Sequence, residues 1–574
     1  MDYSELVEVY EKLENTSERL KKIEIIASLF KKADTDLLPK VVLLIQGRLF
    51  PSWSEEEIGI SDLSMPKILS MASGFSSERI IDSFKKTGDY GLVAEEIISK
   101  RKQKTLFQKP LTVEMVYENL IKTARLEGKG SQEKKFKLIA ELLISSKPKE
   151  AKYIVRTVLG DLRIGVAEGV VRDAIVMAFL NKEGKELKDL KEETKAVEWA
   201  WFLRPDYGEI AKIAKEKGVT GLKKVKLEVG KPYHVLLAEK SPGLKEALEA
   251  FEHPILEYKY DGARIIIHKK GDKLWFYTRR LENITKQFPE LREYVMKAVK
   301  AEECIIEGEM IGFDKKTGKP MPFQFLSQRI KRKYDIEKMV KEIPIQVNLF
   351  EIVYLNGKEL FDEPLRKRRD LLKKIIKPIE GKFQLAKALE TKDLKKAEKF
   401  YKEALRAGQE GLIVKNLDAK YQPGRRVAGG WLKVKPVMEN LDLVIIGAQW
   451  GTGKRAGFLS SFVLGCRDEE GNFLECGMIG TGIKEKEETG VSFKQLTDML
   501  KPYITQELGN VVKIKPKVVV EVAYEEIQKS PNYESGYALR FPRVVRIRFD
   551  KGPEEADTIK RIERLYKMQF GKSK

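Results

Sequence analysis

The feature that most limits the fold of this chain is a change of hydrophobic period near Gly230-Lys231-Pro232. Before it, apolar residues recur at three- and four-residue steps, as in Leu20, Ile23, Ala27 and Phe30, and again through Phe136–Ile144 and Val170–Phe179. That period marks one face of an α-helix, so residues 1–225 are expected to form an all-α domain. Loop chemistry at Phe50-Pro51-Ser52-Trp53 and Gly128-Lys129-Gly130-Ser131 separates the helices. After the change, short runs rich in β-branched and aromatic residues take over: Arg264–His268, Leu274–Thr278, Cys304–Ile311, Gln346–Tyr354 and Gly411–Lys415 read as strands. Helical segments within Leu360–Arg406 fall between them, which makes residues 226–437 a mixed α/β domain. A second break follows at Lys435-Pro436-Val437-Met438. Beyond it Leu443–Ala448, Ser461–Cys466, Phe473–Ile479, Val518–Ile527 and Val544–Phe549 suit a small barrel over 438–574, closed by a helix at Asp557–Met568. A length of 574 residues accommodates these three domains. The fold class expected is therefore multidomain α+β.

The chain carries 108 Lys plus Arg against 87 Asp plus Glu, a net charge of +21. Such an excess suits a polyanionic partner, because each cation that neutralises a phosphate releases counterions; a charge-rich thermophile surface is the competing account. The only imidazoles are His234, His253 and His268, so chemistry built on several histidines is nearly excluded. Cys304, Cys466 and Cys476 are too few for a four-thiolate zinc site or a disulfide framework. Catalysis must run on Lys, Arg and carboxylates. The first residues lack a basic segment followed by an apolar one, and no run of 18 apolar residues occurs, so neither signal peptide nor membrane span is expected; a reducing, cytoplasmic setting fits.

The most informative window is Glu257-Tyr258-Lys259-Tyr260-Asp261-Gly262-Ala263-Arg264, a lysine at a strand edge beside an acid, a glycine and an arginine. Alone, a KxDG run is weak. It is followed in order by Arg279-Arg280, Glu307-Gly308-Glu309, Phe350, Glu410-Gly411-Leu412-Ile413-Val414-Lys415, Trp431-Leu432-Lys433-Val434-Lys435 and Leu539-Arg540-Phe541-Pro542-Arg543. A lysine attacks a phosphorus atom only as the neutral amine, so burial and neighbouring cations are needed to lower its pKa; Arg264, Lys433 and Lys435 are the candidate neighbours.

This ordered set closely resembles the ATP-dependent DNA ligases of archaea and eukaryotes, within the lysine-dependent nucleotidyltransferases, and the resemblance implies an archaeal, thermophilic member. Gly160-Asp161-Leu162-Arg163-Ile164-Gly165-Val166-Ala167-Glu168 resembles the same family's DNA-binding domain, so the likeness spans essentially the whole chain. The resemblance implies an all-α DNA-binding domain, an adenylation domain and an OB-fold β-barrel that encircle nicked duplex DNA, with roles in replication, repair and recombination. It implies that Lys259 is the nucleophile and carries AMP from ATP to a DNA 5′-phosphate, which the 3′-hydroxyl then attacks, expelling AMP. Glu257 would take the adenine amino group, Arg264 and Arg279 the ribose and phosphate oxygens, and Phe350 would stack on adenine. Glu309 and Glu410 would serve ribose and Mg²⁺ or Mn²⁺, Glu307 being the decoy beside Glu309, and Asp261 would position the lysine or join the metal shell. Lys433 and Lys435 would bind phosphate, and Arg540 of the barrel would orient pyrophosphate. Ahead of them Pro423-Gly424-Arg425-Arg426 matches with a spacing one residue longer than the family's; Arg426 is the choice for the nucleotide and Arg425 the alternative.

Two further runs carry competing readings. Trp450-Gly451-Thr452-Gly453-Lys454-Arg455-Ala456-Gly457 fails the P-loop pattern, because Ala448 precedes it where Gly belongs and Arg455 stands where Ser or Thr is required; a barrel hairpin near a DNA phosphate or a plain turn remains. Gln103-Lys104-Thr105-Leu106-Phe107 resembles a shortened sliding-clamp motif, with Gln103, Leu106 and Phe107 as anchors; the alternative is that Leu106 and Phe107 tuck into the helical core. RNA ligases and capping enzymes share the lysine motif but not usually a long helical domain, and an NAD⁺-dependent ligase normally carries a cysteine zinc module. A non-catalytic nucleic-acid scaffold predicts a broken motif, whereas Lys259, Glu309, Glu410 and Lys433 are all present. The family suggests a monomer.

Overall fold

Helices occupy the N-terminal region, with caps that the sequence supplies: Ser76 Oγ accepts from the Arg79 N–H, Thr112 Oγ1 from Met115 and Asp206 from Gly208 and Glu209, while Gly74 and Gly88 end helices in the left-handed conformation. The computed structural model describes residues 1–101, 110–128, 130–314, 317, 319–321, 323–330, 332, 334–424, 429–436, 438–451, 455, 457–485 and 490–569. The helix Arg19–Lys32 buries Ile23, Ile26, Ala27 and Phe30, but Leu20, in its first turn, is 63% exposed; the packed stripe begins one turn in. Glu168–Ile175 runs on into a π-helical turn, Val176–Leu180.

The chain forms two compact units. One comprises Met1–Glu239, Gly262–Lys387 and Asn416–Trp431; the other comprises Lys240–Asp261, Ala388–Lys415 and Leu432–Lys574. The chain passes from the second to the first inside the motif, after Asp261.

In order along the chain, the strands that matter are β1 (Pro254–Lys259), β2 (Ala263–Lys270), β3 (Lys273–Thr278), β4 (Glu303–Phe313), β5 (Ile345–Leu355), β6 (Phe383–Leu385), β7 (Ala388–Glu390), β8 (Gly411–Asn416) and β9 (Trp431–Val434). The first unit carries the sheet β3-β2-β4-β5, antiparallel throughout, with β6 parallel to β5. Period-two alternation gives it two unlike faces. Ala263, Ile265, Ile267, Ile306, Met310, Val347 and Leu349 enter an apolar core, leaving Arg264, Glu307, Glu309 and Asn348 on the opposite face. The ladder between β4 and β5 jumps from Glu307↔Glu351 to Gly308↔Leu349, so Phe350 is the extra residue of a β-bulge.

In the second unit, a sheet in the order Glu239–Lys240, β9, β8, β1, β7 presents Lys259 at the end of β1. Beyond it the chain builds an OB-type barrel from β10 (Leu441–Trp450), β11 (Leu459–Arg467), β12 (Phe473–Ile479), β13 (Ile504–Leu508), β14 (Val511–Ile514), β15 (Val519–Ala523) and, after a separate two-stranded ribbon of β16 (Glu526–Lys529) and β17 (Tyr537–Arg540), β18 (Arg543–Ile547). The predicted strand Val518–Ile527 is two strands, and β13, β14 and β17 were not legible. β13 is largely exposed and lacks an apolar alternation, so its hydrogen bonds to β14 hold it in place rather than burial. Likewise β6 and β7 interrupt the stretch read as helical, leaving helices at Leu365–Ile375 and Leu394–Arg406. The terminal helix is Ile559–Gln569.

Candidate active site

Two sets of predicted residues assemble, one in each unit. In the second unit Lys259 stands at the strand end, one-fifth exposed, with its Nζ 2.6 Å from Glu410 Oε2. The same oxygen lies 2.6 Å from Lys435 Nζ, and Lys435 also reaches Glu525 of the barrel domain at 3.5 Å. The Glu410 N–H donates to the Lys259 carbonyl at 2.9 Å, so backbone and side chain fix the pair together. Burial works against a charged Glu410, but Lys259 and Lys435 outweigh it and bring the carboxyl down to about 2. Lys435 is pushed up: burial opposes its charge, Glu410 more than compensates, and nearby Arg540 subtracts a little. Of the three cations expected beside Lys259, Lys435 meets it across a shared carboxylate oxygen rather than directly, while Arg264 is engaged by Glu307 instead.

Glycine is required at Gly411, where φ is +142° and a Cβ would stand 2.2 Å from the Val434 carbonyl oxygen. This close approach brings β8 and β9 together, and with them Glu410 and Lys435. Asp261 donates its N–H to Gln409 Oε1 at 3.3 Å. A cavity of about 60 Å³ is lined by Asp261, Gln409, Glu410, Lys435, Glu525 and Glu526. Arg540, on β17, pairs with Glu526 at 3.1 Å. Lys433 lies on β9, where its carbonyl accepts from the Ser241 N–H at 3.0 Å. Glu257, two residues before Lys259 and 2% exposed, is paired with Lys415 of β8 at 2.5 Å.

In the first unit Arg264 donates from Nη2 to Glu307 and from Nη1 to the Leu236 carbonyl at 2.6 Å. Its guanidinium lies 5.3 Å from the Phe350 ring centre and 5.1 Å from that of Trp431, the two rings meeting edge to face at 5.8 Å. Tyr421 Oη donates to Glu307 at 2.5 Å, and Tyr233 donates to the same oxygen. Burial alone would lower the Arg264 pKa, but Glu307 holds it above the ordinary arginine range. Glu307, the decoy of the motif, is therefore the fully buried anchor of a network, while Glu309 stands in cross-strand register with Arg264 on one side and Asn348 on the other. Gly262 cannot be replaced without intrusion, since a Cβ would lie 2.4 Å from the Met310 carbonyl oxygen. Arg279 follows β3 on the surface.

Sequence reasoning gave no role to Lys415, although it closes the Glu410–Lys415 motif, and did not single out Glu525, Tyr233 or Tyr421. Nothing local marks the last three; only the tertiary fold brings them to the site residues. Gln103, Leu106 and Phe107, Arg425 and Arg426, and Thr452, Gly453, Lys454 and Ala456 of the Gly-rich run lie outside the described residues. The flanking strands β10 and β11 do form an antiparallel hairpin, with Trp450 opposite Leu459.

A helical region, mixed α/β sheets that present a lysine from a KxDG run, and an OB-type barrel define the architecture of a lysine-dependent nucleotidyltransferase. The chain matches three family descriptions: DNA ligase N terminus over residues 2–176, ATP dependent DNA ligase domain over 235–435, and ATP dependent DNA ligase C terminal region over 455–551. It is 49% identical to a DNA ligase of Nanoarchaeum equitans, covering 100% of this chain and 99% of that one, and 45% identical to a DNA ligase of Thermococcus onnurineus, covering 99% and 98%. A solved structure described as Pmar-Lig_Pre is similar in fold, with a TM-score of 0.53 at 16% identity over 95% of this chain and 99% of that one. The chain belongs to the ATP-dependent DNA ligase family and is a DNA ligase enzyme.

Proposed function

We propose that this ligase seals nicks in duplex DNA with Lys259 as the carrier of AMP, a reading supported above all by the Lys259–Glu410–Lys435 contact at the end of β1. Lys259 Nζ, having lost its proton, forms a bond to the α-phosphorus of ATP as pyrophosphate leaves; AMP then passes to the DNA 5′-phosphate, and the 3′-hydroxyl displaces it. Glu257 accepts from the adenine amino group, Phe350 stacks on the base, and Arg264, Arg279 and Glu309 hold ribose and phosphate oxygens. Lys433 and Lys435 bind phosphate, Arg540 orients the pyrophosphate, and Arg426 joins the nucleotide contacts. Every step moves charge onto phosphate oxygens, which fixed cations stabilise.

The residues also suit a divalent cation. Glu410 keeps its charge down to about pH 2, and carboxylate oxygen is the donor that a hard cation takes. Among the described residues no group of three such side chains is gathered to hold a metal ion, so Glu410, Asp261 and Glu309 would meet Mg²⁺ or Mn²⁺, which supplies Lewis acidity at the phosphates, only together with the nucleotide's own oxygens. Once Lys259 carries AMP, its nitrogen no longer bears the charge that pairs with Glu410. That carboxylate then keeps Lys435 alone and has lone pairs to offer.

Three functional segments follow the texture of the sequence: 1–225 for DNA binding, 226–437 for adenylation and 438–574 for the OB-fold. Among the described residues no helix is long and apolar enough to cross a membrane. The reading includes a cytoplasmic monomer that docks a sliding clamp through Gln103, Leu106 and Phe107. A pull-down in which Phe107→Ala leaves clamp binding unchanged removes that last element.

The central test incubates the protein with α-labelled ATP and Mg²⁺ and maps an acid-labile, alkali-stable adduct by mass spectrometry. The adduct is expected on Lys259 and absent from Lys259→Ala. Wild-type protein that never becomes labelled, or a labelled Lys259→Ala, overturns the assignment. Supplying nicked duplex DNA against nicked RNA then tests the substrate.

A further inference from the structure

On the same strand as Lys259, Glu257 forms a buried ion pair with Lys415, a residue to which the nucleotidyl-transfer steps give no role. Lys415 Nζ and Glu257 Oε2 are 2.5 Å apart, and the side chains are 2% and 3% exposed. Replacing a buried ion pair with apolar side chains often leaves a protein equally stable or more so, so fold stability alone is a poor reason for this one. Its position is informative. Glu257 and Lys259 are separated by two residues on β1, so their side chains share a face about 6.6 Å apart along the strand. Lys415 comes from β8, the neighbouring strand, at the other end of the short run that begins with Glu410. One strand thus ties the carboxylate beside the lysine to the carboxylate that would meet the base.

We propose that Lys415 is a positioning residue that makes the site selective for 6-aminopurine over 6-oxopurine nucleotides, by holding Glu257 as an oriented carboxylate that only accepts hydrogen bonds. This rests on the reading of Glu257 as the adenine contact. An ionised carboxylate offers acceptors and no donor. It pairs with the donor amino group of adenine and opposes the acceptor oxygen of hypoxanthine or guanine. Without the ammonium, a carboxyl group this deeply buried takes up a proton, because burial disfavours the charged form. It then presents an O–H to a 6-oxo group, and the discrimination collapses.

The experiment measures lysine–nucleotide adduct formation by the full-length protein with ATP and with ITP, which differ at the purine 6 position. Wild type is expected to prefer ATP by at least about 100-fold in kcat/KM. Lys415→Met should reduce that preference by about tenfold or more, through a higher KM for ATP and a lower one for ITP with smaller changes in kcat; Lys415→Arg should restore it. If Lys415→Met does not fold, Lys415→Gln carries the same readout. An ATP-to-ITP ratio equal to wild type in the folded variant, including a parallel loss with both nucleotides, overturns the inference. Glu257→Gln separates the two layers. If its ratio is also unchanged, the reading of Glu257 fails; if its ratio falls while that of the Lys415 variant does not, only the role of Lys415 fails.

Discussion

Glu410 and Glu307 are both carboxylates held against basic side chains, yet their surroundings differ. Glu410 shares one oxygen between Lys259 and Lys435, and all three side chains keep about a fifth of their surface in water, at 18–21% exposure. Glu307 has none: it is fully buried, with Arg264, Tyr233 and Tyr421 donating to it. One arrangement can lose a partner at modest cost and regain it, as the proposed role of Lys259, alternately protonated and carrying AMP, requires. The other fixes a guanidinium between two aromatic rings and resists change. Two residues of one motif, Lys259 and Arg264, fall on opposite sides of this contrast.

The largest effect should come from breaking the rigid member. Glu307→Gln keeps the shape but leaves Arg264 buried without its anion, which should cost about 3–5 kcal/mol in urea unfolding of the full chain. A loss below about 1 kcal/mol would remove the claim that Glu307 anchors this region. Glu410→Gln should do the reverse, slowing lysyl–nucleotide formation by about 10²–10³ while stability falls by only about 1–2 kcal/mol, an amount that shrinks in high salt. If unfolding suffers more than adduct formation, the two carboxylates are not different in kind.

The sequence made this contrast half legible. The ordered motifs placed Lys259, Glu410 and Lys435 in one argument, because charged residue types at fixed spacing around a lysine have a chemical reading of their own. The choice of Glu309 over Glu307 came rather from the family resemblance, in which the second acid of the Glu-Gly-Glu run is the active carboxylate. What Glu307 does instead was not readable, since its partners Tyr233 and Tyr421 lie 74 and 114 residues away along the chain. The helical region was read from its period, yet β13 and β6 escaped because an exposed or three-residue strand carries no period to detect. Phe350 was singled out by motif alone; that a bulge presents it follows from ladder register, which a single strand does not encode.

Acid should probe the buried sheet next. His268 is fully buried, its Nδ1 accepts the Gly230 N–H at 3.1 Å, and burial lowers its pKa to about 3. The folded state therefore leaves it neutral between its unfolded value near 6.5 and about 3, while the unfolded chain takes up a proton there. Stability from this group is complete above pH 6.5 and falls as the pH drops, by about 3 kcal/mol at pH 4. His268→Gln removes the titration, so the gap in unfolding free energy between wild type and variant should narrow by that amount from pH 7 to pH 4. Parallel curves would mean that the histidine is not held neutral.

The smallest change tests whether the hydrated half depends on backbone contact. Gly411→Ala adds one methyl group to a residue at φ +142°, aimed at a carbonyl oxygen only 2.2 Å away. Because that atom belongs to the backbone of β9, it cannot swing aside as a side chain would, and the expected cost is about 1–3 kcal/mol. The strands should part by a few tenths of an ångström, enough to separate Glu410 from Lys435. Adduct formation should then fall by more than the loss of stability accounts for when assayed well below the melting temperature. Gly262→Ala, with a comparable clash against Met310 in the other unit, should lower the melting temperature and disturb the Arg264 network instead. If the two variants lose rate and stability in the same proportion, the separation between a responsive carboxylate and a fixed one does not extend to the backbone that carries them.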